Sequence, residues 1–208
     1  MKLYFFPGAC CMSCHIALEE SKTPFELVYV GKKADEAVKN AFHAVNPLGA
    51  VPALELADKK ILTQNTAILE YIADQKPESG LLEKAGTIQR AETMLWLSLI
   101  ASDLHKSFQP LFRMEQITKN DAAQADIKKW AFANLDKYLT VIDQQLQHKK
   151  YLASDHFSIA DCYLYPVYQW TKHVRFPTDK FKAINRYSAM IAEMPAVRAV
   201  EERENKFR

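Results

Sequence analysis

The sequence predicts an α/β domain in the order βαβαββα over residues 1–77, joined through a linker at 78–86 to an all-helical domain over 87–208. Three observations carry that expectation. Short apolar runs alternate with helical periodicity in the first third of the chain, Pro77, Ser79 and Gly80 then punctuate it, and beyond them only helical periodicity is found. A length of 208 residues suits one large domain or two small ones, so the change of periodicity decides between them.

Taken in order, residues 2–6 form an apolar and aromatic run stopped by Pro7-Gly8, the pattern of a buried strand, and residues 12–22 have helical spacing. Phe25 to Val30, after Pro24, is a second strand run. Two strands separated by a helix make a βαβ unit, which implies a parallel pair. Cys10, Cys11 and Cys14 therefore fall where the first strand hands over to the first helix. A polar helical stretch near Asp35 to Phe42 leads to a turn at Asn46-Pro47-Leu48-Gly49. Val51 to Leu56 then reads as a strand interrupted by Pro52, which has no ladder donor. Asp58-Lys59-Lys60 suits a hairpin turn into Ile61-Leu62, and Asn65 to Ala73 is helical.

In the second domain one helix is predicted from Thr87 to Arg113. Leu97, Ile100, Leu104, Phe108 and Leu111 line its apolar face, while Ser98, Ser102, His105 and Gln109 form a polar stripe. Ile127, Leu135, Leu139, Ile142 and Leu146 share a face of a later helix. Ser158-Ile159-Ala160-Asp161, with Phe157 before it, has the form of a capping box opening an aromatic-rich helix.

Composition narrows the function. With 49% hydrophobic and 25% charged residues the chain buries a core and is not disordered. The net charge of +2 is spread along the sequence, so no basic stripe exists to neutralise phosphates, and nucleic acid is excluded as a partner. Leu3-Tyr4-Phe5-Phe6 falls short of the roughly 7–15 apolar residues of an export signal. Met94 to Leu104, the most apolar segment, contains Ser98, Ser102 and Asp103, so no membrane span is expected and the location expected is cytoplasmic. Three clustered cysteines out of four point to a reactive site in a reducing compartment rather than to a disulfide framework.

Cys10 is the foremost candidate. A cysteine at a helix N-terminus has its thiolate favoured by unpaired amides and the dipole, although free cysteine also serves as a small buried hydrophobe. Cys11-Met12-Ser13-Cys14 has the spacing of a thiol-disulfide oxidoreductase, or is two packing cysteines. His15 is adjacent rather than spaced as a metal ligand would be, and no metal is expected. Gln64 and Asn65 open a helix, where amides can bind a carboxylate, or Asn65 is simply its N-cap. His105 belongs to the polar stripe, as a site residue or a solvated one.

The five segments Pro7-Gly8-Ala9-Cys10, Val45-Asn46-Pro47 with Gly49 to Leu54, Leu62 to Ile68, Ser102-Asp103-Leu104-His105-Lys106, and Phe157 to Asp161 stand in one order at suitable intervals. Together they resemble the bacterial beta-type glutathione transferases over nearly the whole chain. That resemblance implies a thioredoxin-like first domain and conjugation of glutathione, as co-substrate, to electrophilic and largely apolar small molecules, with no cofactor. It implies that Cys10 contacts the glutathione sulfur and that Val51, before a cis Pro52, pairs with the peptide backbone in the manner of strand addition. Gln64 and Asn65 would hold the γ-glutamyl end and Lys33 the glycyl carboxylate. His105 or Lys106 would donate to the sulfur or take part in proton transfer, with Ser98, Ser102, Asp103 and Leu104 beside them. Many relatives have an acidic residue and a serine where this chain has Gln64 and Asn65. Relatives pack as homodimers. Two other readings stay open: a glutathione-dependent thiol-disulfide reductase or peroxidase using Cys10 or the Cys11/Cys14 pair, and a non-enzymatic binding or regulatory protein on the same fold.

Overall fold

A computed structural model describes residues 1–207. The first part runs β1 (Lys2–Phe5), α1 (Met12–Glu20), β2 (Glu26–Tyr29), α2 (Glu36–Val45), β3 (Ala53–Glu55), β4 (Ile61–Thr63) and α3 (Asn65–Gln75). The sheet order is β2-β1-β3-β4. As the βαβ pattern requires, β1 and β2 are parallel, with Leu3 opposite Leu27, whereas β3 is antiparallel to both β1 and β4. β3 begins only after Pro52, because that residue cannot donate to a ladder. Leu3, Phe5 and Leu54 point into the core and are fully buried.

Helix α1 is buried all round from Met12 to Leu18, since α3, the later helices Ile159–His173 and Pro195–Asn205, and β1 pack on it. Such a helix shows little amphipathic patterning. Its burial takes Cys11, Cys14, Ser13 and His15 out of solvent together.

The second part comprises α4 (Ile88–Leu99), α5 (His105–Phe112), α6 (Met114–Ile117), α7 (Asp121–His148), α8 (Ile159–His173), α9 (Lys182–Ala192) and α10 (Pro195–Asn205). The side chain of Thr87 caps α4 by accepting from the Arg90 N–H, and Asn120 caps α7 by accepting from the Ala123 N–H. Leu135, Leu139, Ile142 and Leu146 of α7 are buried as their spacing requires. The residues from 78 to 86 are not a loose tether. Leu81 and Leu82 are buried, and the Leu81 carbonyl accepts from the Ile159 N–H at 2.9 Å, so both parts share one apolar core. Among the described residues no helix is long and apolar enough to cross a membrane.

The helix predicted over 87–113 is present from Ile88 to Phe112, but it does not keep one α-helical period. Between α4 and α5 lies a π-helical turn, Ile100–Leu104, in which the His105 N–H bonds to the Ile100 carbonyl five residues back. The extra residue rotates everything after it relative to α-helical spacing, and such turns are often found at functional sites. The polar stripe is therefore broken: Ser98 and Ser102 remain exposed while His105 turns half inward. Nothing in the local sequence marks the turn. It is allowed by packing of the π segment against α7 and α8.

Candidate active site

Cys10 lies just before α1, the first of four segments that meet there. Its Sγ is 3.5 Å from the carbonyl oxygen of Val51, to which the thiol donates, and Val51–Pro52 is a cis peptide bond. Around the other side, the Ser13 hydroxyl donates to the Cys10 carbonyl at 2.6 Å and is 2.8 Å from the Asn65 amide nitrogen, at the first position of α3. The Tyr163 hydroxyl of α8 stands beside Asn65 and lies 2.7 Å from Nδ1 of His105. The Cys10 loop, the Val51 loop and the N-terminus of α3 are thus joined by one series of hydrogen bonds, and the Tyr163–His105 pair adjoins it.

The electrostatics differ from the helix-terminus argument for a thiolate. Burial pushes the Cys10 thiol up to about 12, with the Cys10 and Cys11 N–H groups offsetting only part of that rise. A neutral thiol is also what the Val51 acceptor demands. Alkylation of resting Cys10 by iodoacetamide is accordingly slow at pH 7, and its rate climbs about tenfold per pH unit to about pH 9, as expected when only the thiolate reacts. Mass spectrometry of the modified peptide measures this, and a rate that levels off below about pH 8 would overturn it. Cys11 and Cys14 are fully buried, donate to the Phe6 carbonyl and to Oδ1 of Asn65, and are pushed well up by burial. A working dithiol needs an accessible, low-pKa first thiol, which this pair lacks.

Asn65 is not the N-cap. Gln64 holds that position with φ 70°, a left-handed value uncommon for a residue with a side chain, and its side chain is exposed. The Asn65 side chain is buried against α1, leaving the exposed Gln64 side chain and the backbone N–H groups at the start of α3 to meet a ligand. His105 is wedged against the edge of Trp170, ring centroids 4.7 Å apart. Burial, then the neighbouring Lys106 charge, pushes it down to about 4, so the imidazole is neutral near pH 7.

The remaining candidates do not join this cluster. Ser102 donates to the Ser98 carbonyl, Asp103 pairs with Ser102, and the Leu104 side chain is fully buried in the core. Lys106 is exposed. Lys33 sits in the exposed β2–α2 loop, where its N–H donates to the Tyr29 hydroxyl.

Several residues at the site escaped the sequence reading. Trp170 donates from Nε1 to the Gly8 carbonyl at 2.8 Å, and Glu204 of α10 accepts from the Gly8 N–H at 2.9 Å, so two distant helices hold the peptide ahead of Cys10. The other Glu204 oxygen is 3.2 Å from Nδ1 of the buried His15. One signal was available: Val197, Val200 and Glu204 are spaced by three and four, which places the acid on the apolar face of its helix.

The fold agrees with known proteins. A family model described as the glutathione S-transferase N-terminal domain matches residues 1–74, and the corresponding C-terminal domain matches residues 99–195. Glutathione S-transferase GstA of Escherichia coli O157:H7 is 38% identical over 199 residues, 95% of each chain. A sphingomonad glutathione S-transferase solved as a complex with glutathione is 38% identical with a TM-score of 0.88 over 99% of each chain. A bacterial beta class enzyme from Sphingomonas chungbukensis is 37% identical with a TM-score of 0.88 over 98% of each. Likeness of this extent spans both the thioredoxin-like domain and the helical one, and the chain belongs to the glutathione S-transferase family.

Proposed function

We propose that the protein is a glutathione transferase in which the thiolate of glutathione attacks an electrophilic, largely apolar small molecule. The observation that carries this reading is the hydrogen-bonded cluster of Cys10, Val51 and the α3 N-terminus, with the Tyr163–His105 pair beside it. Glutathione loses its thiol proton to solvent, its sulfur forms the new bond to carbon, and the leaving group departs with the electron pair of the bond it breaks. The protein lowers the cost of the thiolate and aligns it, which requires no metal or nucleotide.

In this reading the Cys10 thiol, neutral at rest, turns from Val51 to donate to the sulfur. Val51 pairs with the cysteinyl backbone, and the amides at the start of α3 together with Gln64 hold the γ-glutamyl carboxylate, as helix N-termini favour anions. Lys33 meets the glycyl carboxylate. The electrophile lies against Phe112 and Trp170, whose rings are 5.4 Å apart. An open cavity of about 580 Å³ lined by Leu111, Phe112, Met114 and His173 adjoins them, a size suited to a small organic molecule. Because Cys11, Cys14 and Cys162 are buried, any disulfide exchange would run through Cys10 alone. The protein works as a cytoplasmic homodimer, which sedimentation at micromolar concentration would register; exposed Leu48, Ile88 and Leu95 favour burial against a second copy.

Calorimetry with reduced glutathione tests the reading. Wild type is expected to bind in the micromolar to millimolar range, and Cys10→Ala and His105→Ala each to bind several-fold more weakly, the loss of about one hydrogen bond. No detectable binding by the wild type would sink it.

A further inference from the structure

Tyr163 is 2% exposed, so its hydroxyl must find partners inside the protein. The donors and acceptors around it can be assigned one by one. Ser13 has a single hydroxyl proton, and the 2.6 Å contact to the Cys10 carbonyl takes it. Ser13 then accepts from the Asn65 amide nitrogen at 2.8 Å, while the Asn65 carbonyl accepts from the Cys14 thiol at 3.1 Å. Among the described residues no group of this network other than His105 lies within hydrogen-bond distance of the Tyr163 hydroxyl. That leaves the phenol proton for its remaining neighbour, Nδ1 of His105 at 2.7 Å. A nitrogen that accepts carries no proton, and a neutral imidazole holds one on the other nitrogen. Among the described residues Nε2 has no hydrogen-bond partner within the protein.

We propose that Tyr163 is the positioning residue of His105: by donating to Nδ1 it holds the ring as the Nε2–H tautomer and makes His105 a hydrogen-bond donor to the glutathione sulfur rather than a base. This rests on the glutathione transferase reading. The low basicity of the buried ring agrees with it, since a ring that stays neutral down to about pH 4 can be held in one tautomer throughout the neutral range. The edge contact with Trp170 fixes the ring plane. Sequence alone places Tyr163 in an aromatic run of core character, and only the fold brings it to His105.

The first test needs no glutathione. In the ¹⁵N spectrum of the wild-type protein at pH 7, with His105 identified by its loss in His105→Gln, Nδ1 is expected at the unprotonated position and Nε2 at the protonated one. In Tyr163→Phe the two resonances move toward each other as the second tautomer becomes populated. For conjugation, kcat of Tyr163→Phe is expected to fall about tenfold, the worth of roughly one hydrogen bond. The KM for glutathione stays within about twofold, and the thiolate absorbance of bound glutathione at pH 7 declines. His105→Gln, which can donate from a similar place but cannot act as a base, is expected to keep more activity than His105→Ala. A protonated Nδ1 in the wild type, or Tyr163→Phe with unchanged spectrum and kcat, overturns the proposal. Failure to bind glutathione would sink the functional reading and leave the tautomer result standing, so the two failures are distinguishable.

Discussion

Asp161→Ala is expected to lower the folding free energy by about 4 kcal/mol, near the upper end of single-substitution effects. Asp161 is fully buried, and its carboxylate accepts four hydrogen bonds. One oxygen takes the Leu152 N–H at 2.8 Å and the Tyr187 hydroxyl at 2.9 Å, and the other takes the Ser158 N–H at 2.9 Å and the Ser158 hydroxyl at 2.8 Å. The bond from the Ser158 N–H is one half of the capping box that opens α8, whose other half is the Ser158 side chain facing the Asp161 N–H, and the Leu152 and Tyr187 bonds extend the arrangement to the preceding loop and to α9. Alanine would leave those donors without an acceptor and open a small void, and each orphaned buried donor costs about 1–3 kcal/mol before relaxation. With a total stability of about 5–15 kcal/mol, such a loss brings much of the protein close to unfolding at 37 °C. Urea unfolding measures it, and Asp161→Asn is expected to rescue only part, because its NH₂ group would face a donor. A midpoint close to that of the wild type would show that the core rearranges to supply other acceptors.

Glu204→Ala is expected to cost about 3 kcal/mol and to reduce kcat/KM about tenfold, a larger effect on activity than its distance along the chain from Cys10 suggests. The carboxylate is fully buried between the Gly8 N–H and His15, whose Nε2 already has no partner. Removing it leaves the Gly8 N–H and Nδ1 of His15 without acceptors inside the protein. Gly8 has φ 74° and stands two positions before Cys10, held on its carbonyl side by Trp170. With one of its two tethers gone, the loop samples positions that misplace the thiol. Glu204→Gln, which can still accept from Gly8, is expected to recover most of the activity and part of the stability. Equal losses in both variants would place the effect in the charge rather than in the tether, and no loss in either would remove Glu204 from any part in shaping the loop.

Much of this architecture was legible in consecutive residues. The order of strands and helices in the first part, the parallel pairing of β1 and β2, the start of α8 at Ser158 and the place of Cys10 between β1 and α1 all follow from periodicity, proline and capping chemistry. These signals act over a few residues, and the backbone obeys them wherever packing does not oppose them. The helix over 87–113 was read with one α-helical period because Ile100 to Leu104 contain no glycine or proline to announce a π turn. For Asn65 the sequence left open a carboxylate-binding role and an N-cap, and packing against α1 gave its side chain to Ser13 and Cys14 and left the cap to Gln64.

The sequence by itself determined the elements, their order and which segments would carry polar chemistry, since those depend on neighbours within a turn or two. Tertiary structure alone decided the state of the groups at the site. Cys10 is held as a thiol, His105 is neutral and Glu204 reaches Gly8 across 196 positions, because burial and hydrogen bonding come from helices far apart in the chain. Desolvation is a property of everything packed around a group, and no local pattern of residues encodes it.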